Sequence, residues 1–541
     1  MADVSDYTAL LTGDYWGGIE ITDHPVFVTY SFDTTAPASD ASHLAGSAYA
    51  TFTPFTAAQQ AEAQQALANW GTNSGIVFLQ AAPGQGDINF AAYDFSSDPN
   101  FSGAGGVGYY PFGNWDYATF PYFAADNPGS GNILMNTAFE NNGTFALPTV
   151  LHEIGHALGL KEPDQAWTDT LTSPQTVHNV WDPSVPIAPT VMVEGQSTLT
   201  AITTLDIQAI QAIYGTPAQQ ASMDSSWTWN ATTDTLTQHL TNAASLEVRG
   251  VSTNNVIFAG SGSDTIFAVG AGSNTVYAGT GNDTIVGGSG KNLLFAGKGP
   301  AAFDGTFGPT TVDYARAPAG VSVNLANPSL DTGWATGDTF TNVHSLIGSN
   351  FADTLTADNA LDTIHGGAGN DVIIGGSGKD FLYGDAGNDT LIAGTGGDVL
   401  TGGAGADRFV FPALADSTVA ASGRATITDF SSAQGDQIDL SGIAAATGQT
   451  LSFIGSAAFD GHPGEVRAVA AGTNTLVSLD ANGDKRADFA ILLKGPQALT
   501  AGDFILSPGT AAVSAAASSP WLGAVPDRPD FGVPHFCDAP I

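Results

Sequence analysis
Apolar and polar positions follow two different rhythms along this chain of 541 residues. In the first part the rhythm switches between strand and helix. Val26-Phe27-Val28-Thr29-Tyr30-Ser31-Phe32 alternates and predicts a strand, as do Ile76 to Leu79 and Asp87 to Ala91. Between them Thr56 to Trp70 carries Ala, Leu and Trp at helical spacing, with Thr56 as a fair N-cap. A short helical turn is expected from Tyr7 to Leu11. Residues 94–130 are rich in Gly, Pro, Asn and aromatics, which predicts a long loop or a cleft lining. Ile133 to Asn136 then reads as an edge strand. Pro148 and Thr149 before Val150 and Leu151 suit a helix start, and Leu205 to Tyr214 predicts a helix stopped by Gly215. Residues 163–190, with five prolines and no period, predict a loop. Helices layered on these strands predict an α+β unit over residues 1–220.

From about residue 250 the rhythm becomes periodic. Asn255, Asp264, Asn274, Asp283 and Asn292 recur at spacing nine, with one extra residue before Asn274. Asp353, Asp362, Asp371, Asp380, Asp389, Asp398 and Asp407 then recur at unbroken spacing nine. Gly366-Gly367-Ala368-Gly369-Asn370-Asp371-Val372-Ile373-Ile374 fits GGxGxDxUx, and Gly402-Gly403-Ala404-Gly405-Ala406-Asp407 repeats its opening. In this pattern Gly-rich turns aim carbonyls and the Asp carboxylate at calcium between successive turns. The apolar residue two beyond the Asp makes a short strand facing the interior of a parallel β-roll. The expected calcium residues are Gly366, Gly369, Asp371, Gly375, Gly378 and Asp380. Gly384, Gly387, Asp389, Gly396, Asp398, Gly402, Gly405 and Asp407 continue the set, with Asp264 and Asp283 in the first block. A flexible glycine linker would not hold the Asp phase and the apolar phase together. Three of the five phase positions in the first block are Asn, and an amide brings no charge, so weaker or partial calcium occupancy is expected there. The roll is expected over residues 221–424. Alternating runs at Ala425 to Phe430, Gln437 to Leu440, Thr475 to Leu479 and Asp488 to Leu493 predict a β-sandwich-like segment over 425–506. Within it Asp480-Ala481-Asn482-Gly483-Asp484 is a weaker calcium-turn signal. An Ala/Ser/Pro-rich tail fills 507–541.

Composition sharpens this picture. A net charge of −39 argues against binding nucleic acid or anionic lipid through charge. Of 52 acidic residues, eight are Glu and 44 are Asp; with 66 Gly, that is a composition of short carboxylates presented from turns. The single cysteine, Cys537, excludes an intramolecular disulfide and a cysteine-rich metal site. Met1 to Asp6 carries no basic or apolar signal segment, so no ordinary cleavable signal is expected, and no apolar run of about 18 residues is long enough to span a membrane.

The chemistry concentrates at His152-Glu153-Ile154-Gly155-His156-Ala157-Leu158-Gly159-Leu160-Lys161-Glu162, which reads HExxHxxGxxE. Spacing four on a helix puts His152 and His156 on one face, where both imidazoles reach one metal. Glu153 beside them is placed to act as general base, the arrangement of a zinc hydrolase. Gly159 lets the chain leave the helix through a left-handed turn, so that Glu162 can return as third ligand.

In order and together, these pieces resemble the serralysin-type secreted zinc endopeptidases of the metzincin group. The match runs from about residue 10 to 506. It includes Trp16-Gly17-Gly18, HEIGHALGL at 152–160, Met192, Leu205-Asp206-Ile207, Tyr214-Gly215, the nonapeptide repeats, Arg408-Phe409-Val410-Phe411, Ile438-Asp439-Leu440-Ser441 and Asp503-Phe504-Ile505-Leu506. The resemblance implies a metzincin-like catalytic domain, a calcium-loaded roll, and type I export read from an uncleaved C-terminal signal. It maps His152 and His156 onto zinc ligands, Glu153 onto the base, and Met192 onto the Met-turn beneath the metal. Two positions depart from the family: Glu162 stands where the family has a third His, and Glu194 where it has a Tyr close to zinc. The tail is a third departure, running 35 residues past the family's usual end. If Glu162 does not ligate, His178 is the candidate substitute.

Two readings follow. The first is an extracellular, monomeric zinc endopeptidase acting on proteins or peptides, exported by type I secretion machinery, with no nucleic-acid partner and no membrane insertion. The second, motivated by Glu162 and Glu194, is a decayed protease scaffold serving as an extracellular calcium-binding or adhesion surface.

Overall fold
A five-stranded sheet and three helices of 11 to 16 residues build the first unit. β1 (Val26–Phe32) is flanked by β2 (Ile76–Gln80) and β3 (Ile88–Tyr93), both parallel to it. β4 (Gly106–Gly108) pairs antiparallel to β5 (Ile133–Asn136), giving the order β2-β1-β3-β5-β4. This computed structural model describes residues 26–42, 44–101, 103–109, 131–160, 168–169, 175–176, 190–193, 199–222, 225–240, 246–268 and 270–507. The turn at Tyr7 to Leu11, the residues Glu162, His178 and Glu194, and the tail with Cys537 lie outside them.

The sheet's apolar face meets α2 (Ala57–Thr72) and α3 (Leu147–Ala157), which follow the short α1 (Gly46–Tyr49). Thr56 caps α2 as predicted: its hydroxyl accepts from Gln59 N, and Gln59 Oε1 accepts from Thr56 N, a reciprocal capping box. Trp70, fully buried, donates its indole N–H to Leu151 O at 3.1 Å and so ties α2 to the helix bearing the HExxH motif. α4 (Thr204–Tyr214) closes the layer and ends at Gly215, whose φ is +70°.

Three expectations for this unit change. Ile133–Asn136 is not the edge strand, because β4 covers its outer side. Part of the stretch expected as loop is therefore strand. Its Gly-Val-Gly sequence hides that role: a Cβ at Gly108 would overlap the Glu153 carbonyl, and one at Gly106 would lie 2.9 Å from Glu153 Cγ. Glycine is needed because this strand runs directly against the motif helix. Residues 168–169 and 175–176, inside the other expected loop, form a short antiparallel pair.

The second unit opens with the antiparallel hairpin 225–230/235–240 and then coils. Each repeat contributes one strand, and consecutive strands enter opposite sheets. One sheet has 15 strands; sheets of five and seven face it. Neighbours within a sheet are parallel and stand two repeats apart, as in Thr363↔Phe381↔Val399 and Val372↔Thr390↔Arg408. The apolar residue two beyond each phase position (Ile257, Ile266, Val276, Ile285, Leu294, Ile373, Leu382, Leu391, Leu400 and Phe409) is fully buried, as the nonapeptide pattern requires.

The C-terminal segment, expected as a sandwich of its own, instead prolongs the roll. Thr426–Ile427 pairs with the strand 399–404, and Gln437–Asp439 pairs with Arg408–Val410 and with Phe504–Ile505. Strand 489–493 joins the long sheet in parallel with 426–427, and 474–480 and 465–471 then extend it antiparallel. A coil that stops leaves unpaired N–H and C=O groups on its last strands, and these residues supply the partners. At its other end the roll meets the first unit. Trp229 donates to Gln80 O at 2.8 Å, Ala82 N donates to Asp234 Oδ1 at 2.8 Å, and Leu79 packs with Leu236 and Val251.

Candidate metal centre
α3 begins with Pro148 in its first turn and stops in a Schellman turn. Leu160 N donates to Gly155 O and Gly159 N to His156 O, both at 2.9 Å, with Gly159 at φ +91°. The turn thereby delivers the Leu160 carbonyl to His156, whose Nδ1 donates to it at 2.8 Å. His152 Nδ1 donates to Val191 O, also at 2.8 Å. A carbonyl only accepts, so both imidazoles carry their hydrogen on Nδ1 and present the Nε2 lone pair. The two Nε2 atoms stand 3.1 Å apart, and the Glu153 carboxylate joins them with all three ligand atoms within 4.8 Å of one another. Burial, and then the facing His152, push the pKa of His156 down to about 3, which keeps it neutral.

This donor set fits zinc. Two lone pairs so close repel unless a cation draws them in, and a tetrahedral ion with bonds of about 2.0–2.1 Å separates two nitrogens by about 3.3 Å. Each ligand's other nitrogen is fixed by a backbone carbonyl, as metal-binding histidines require. Glu153 is 5% exposed, walled by the glycines of β4.

Met192 is fully buried and packs against the motif helix at Gly155. A Cβ at Gly155 would fall well inside contact distance of Met192 Sδ, 3.1 Å from its Cε and 3.2 Å from Trp70 Cζ2. The glycine between the two histidines thus makes room for the methionine. Sequence reasoning did not find Asp206. It forms the capping box of α4, and it also accepts from Thr190 Oγ1 and, at 3.1 Å, from Val191 N. It therefore anchors the very turn whose carbonyl orients His152. Its sequence signals were its place in the family match Leu205-Asp206-Ile207 and at the third position of a helix opened by Thr203.

The second candidate set lies in the roll. Asp353, Asp371, Asp389, Asp407 and Asp436 stack in one column, each backbone N–H donating to the next Oδ1 at 2.8–3.0 Å. Asp362, Asp380 and Asp398 form the other. Asp371, Asp380, Asp389 and Asp407 are at most 2% exposed, yet the Oδ2 of each has no hydrogen-bond partner. Gly366, Gly384 and Gly402 leave the space beside three of them, where a Cβ would overlap the Oδ2 of Asp371, Asp389 and Asp407 respectively. Gly375 stands in the same relation to Asp380 at 3.3 Å, and Gly378 and Gly396 pack against the carbonyls of Ala360 and Gly378 in the preceding turn. Gly369 (φ +146°), Gly387 (φ +150°) and Gly405 (φ +145°) adopt turns closed to other residues. Burial, and then the neighbouring aspartates, raise Asp380 to about 8 and Asp389 to about 7. Buried, acceptor-only and mutually repelling, these oxygens suit a hard divalent cation such as calcium. Asp398, Asp264 and Asp283 differ: their Oδ2 atoms accept from Gly394, Gly260 and Gly279 N–H groups.

Comparison with known proteins agrees with this geometry. Residues 336–506 match the family described as Peptidase M10 serralysin C terminal, and residues 249–268 and 269–300 match the RTX calcium-binding nonapeptide repeat. Metalloprotease AprA of Pseudomonas entomophila is 30% identical over 88% of this chain and 85% of its own. Serralysin G of Dickeya chrysanthemi is 29% identical over 27% of this chain and 29% of its own. The AlgE6R3 subunit of the Azotobacter vinelandii mannuronan C5-epimerase is 28% identical over 36% of this chain and 92% of that one, at a TM-score of 0.19 that carries no argument. With the HExxH helix, the roll and a relative alike along nearly its whole length, the chain belongs to the serralysin-type family of RTX proteins.

Proposed function
We propose that this chain is a secreted zinc-dependent endopeptidase, stabilised by calcium in its second block of repeats. The observation that carries the reading is the histidine pair, with Nδ1 hydrogens tied to the Val191 and Leu160 carbonyls and both Nε2 atoms aimed at one point beside Glu153. Zinc bound there would act as a Lewis acid on the scissile carbonyl and make water more acidic. His152 and His156 hold the ion, with Glu162 as third ligand by the spacing of the motif. Glu153 takes the proton of the attacking water and gives it to the leaving amine. Met192 would form an apolar floor under the histidines, and Glu194, two residues further along the sequence, is the candidate for the outer ring of the site. The substrates are extracellular proteins or peptides, in keeping with the metalloprotease names of the relatives. Export by type I secretion machinery is in keeping with the serralysin-type relatives, and the monomer would fold outside the cell, where calcium binding to the native roll alone stabilises it.

Glu153→Gln keeps shape and removes the base. Casein cleavage is expected to fall on the order of 100- to 10,000-fold, with zinc content by mass spectrometry unchanged at about one per chain. Unchanged proteolysis refutes the assignment. A parent protein that holds calcium, holds no zinc and leaves casein intact favours the scaffold reading.

A further inference from the structure
The calcium-repeat match falls on residues 249–300, yet the polar column there is built differently from the one at 353–407. Asn255, Asn274 and Asn292 are at most 3% exposed and stacked in successive turns of one sheet. Asn255 Nδ2 donates to Asn274 Oδ1 at 2.8 Å, Asn274 Nδ2 to Asn292 Oδ1 at 2.9 Å, and Asn292 Nδ2 to Thr310 Oγ1 at 3.1 Å. The second amide hydrogen of each goes to the carbonyl four residues back, Val251, Gly270 or Gly288, at 2.8–2.9 Å. Val251 N and Gly288 N donate to the amide oxygens of Asn255 and Asn292, which fixes which way those side chains face. Every donor of the column is used.

Two contrasts with the second block bear on calcium. There Asp371, Asp380, Asp389 and Asp407 each keep a carboxylate oxygen with no partner; here the side chain ends in an NH₂ with both hydrogens given away. Calcium takes oxygen ligands, and an N–H pointed at it repels it. The second block has left-handed glycines in its turns (Gly367, Gly369, Gly376, Gly387, Gly396, Gly397, Gly403 and Gly405), whereas no glycine between 250 and 299 among the described residues has positive φ. The companion column of the first block, Asp264 and Asp283, has both carboxylate oxygens occupied by backbone N–H groups, as Asp353 and Asp398 do in the second block, so no phase-position oxygen of the first block is left without a partner.

We propose that residues 254–310 are a metal-free section of the roll, in which the Asn255–Asn274–Asn292–Thr310 amide ladder takes the place that calcium holds in the second block. Calcium then controls only the turns from about 353 onward, and the section joined to the first unit through Trp229, Asp234 and Val251 stays folded without it. This inference rests on the repeats alone and is independent of the zinc reading.

The test is hydrogen exchange by mass spectrometry on the full chain carrying Glu153→Gln, which prevents self-digestion, in calcium and after chelation with EGTA. Peptides over 372–374, 390–392 and 408–410 should lose protection on the order of 100-fold or more, while those over 255–258, 274–277 and 292–295 change less than about 3-fold. Loss of protection in the 255–295 strands on chelation overturns the proposal. A second variant, Asn274→Ala, should lower protection at 255–258 and 292–295 about 10-fold or more equally with and without calcium, leaving calcium per chain unchanged. A drop in bound calcium in that variant would make Asn274 a ligand and overturn the proposal. If Asn274→Ala fails to fold, the chelation comparison on the parent decides.

Discussion

The packing of Met192 against Gly155 offers a quantitative test of how the motif helix is supported. In Gly155→Ala the new methyl must enter space held by Met192 Sδ, with Met192 Cε at 3.1 Å and Trp70 Cζ2 at 3.2 Å. Trp70 is pinned by its bond to Leu151 O, so the methionine must move. Overpacking of this kind costs about 1–3 kcal/mol, and alanine's better helix propensity returns up to about 1 kcal/mol. The expected net loss is therefore about 1–2 kcal/mol. Met192→Ala removes a fully buried side chain and should cost about 2–5 kcal/mol. In the double variant the methyl at 155 has room in the cavity left at 192. The two losses should then fall short of their sum by about 1–2 kcal/mol. Urea unfolding followed by tryptophan fluorescence, with Glu153→Gln in every member of the cycle, measures all four corners. Additivity within about 0.5 kcal/mol, or a Gly155→Ala variant as stable as its parent, would mean that Met192 does not press on the helix as described.

Asp206→Ala leaves Thr190 Oγ1, Val191 N and Thr203 N without their acceptor and loosens the carbonyl that orients His152; zinc affinity, measured by competition with a chelating dye, should weaken about 10- to 100-fold, and an unchanged value would remove Asp206 from the support of the site. Burial, and then the nearby Asp40, raise Asp33 to about 7, and Lys161 is the sole lysine or arginine before Arg249. The folded state therefore binds the extra proton, and the stability this contributes is fully present below the ordinary carboxylate value near pH 4 and lost as pH rises through about 7, on the order of 3–4 kcal/mol in all. Urea midpoints at pH 5 and pH 8 should differ accordingly in the parent and much less in Asp33→Asn; equal differences in the two proteins would sink this account.

Local signals carried a long way here. Thr56 announced a helix N-cap, Gly159 announced a left-handed turn, and spacing four announced that His152 and His156 share a face. Each depends on residues within a turn or two of one another. The misses have the opposite character. β4 gave no strand signal because its glycines answer to the surface of α3, a partner remote in sequence. Strand 465–471 is recognisable by its pairing with 474–480 rather than by its own composition. Asp206 stood in the sequence only as part of a predicted helix and of the family match, since its task of holding Thr190 and Val191 joins segments that the sequence keeps apart.

The repeats divide the two kinds of knowledge most sharply. By itself the sequence determined that a nine-residue unit is repeated, that its apolar phase faces a common interior, and that Asn and Asp alternate through the first block. It could not determine that each unit makes half a turn, because that follows from strands stacking on partners two repeats away. Only the coil sorts the mixed series into two columns, with asparagines bonded to asparagines on one side and aspartates on the other. A hydrogen-bond ladder needs neighbours in space, and neighbours in space are what the tertiary structure alone decides.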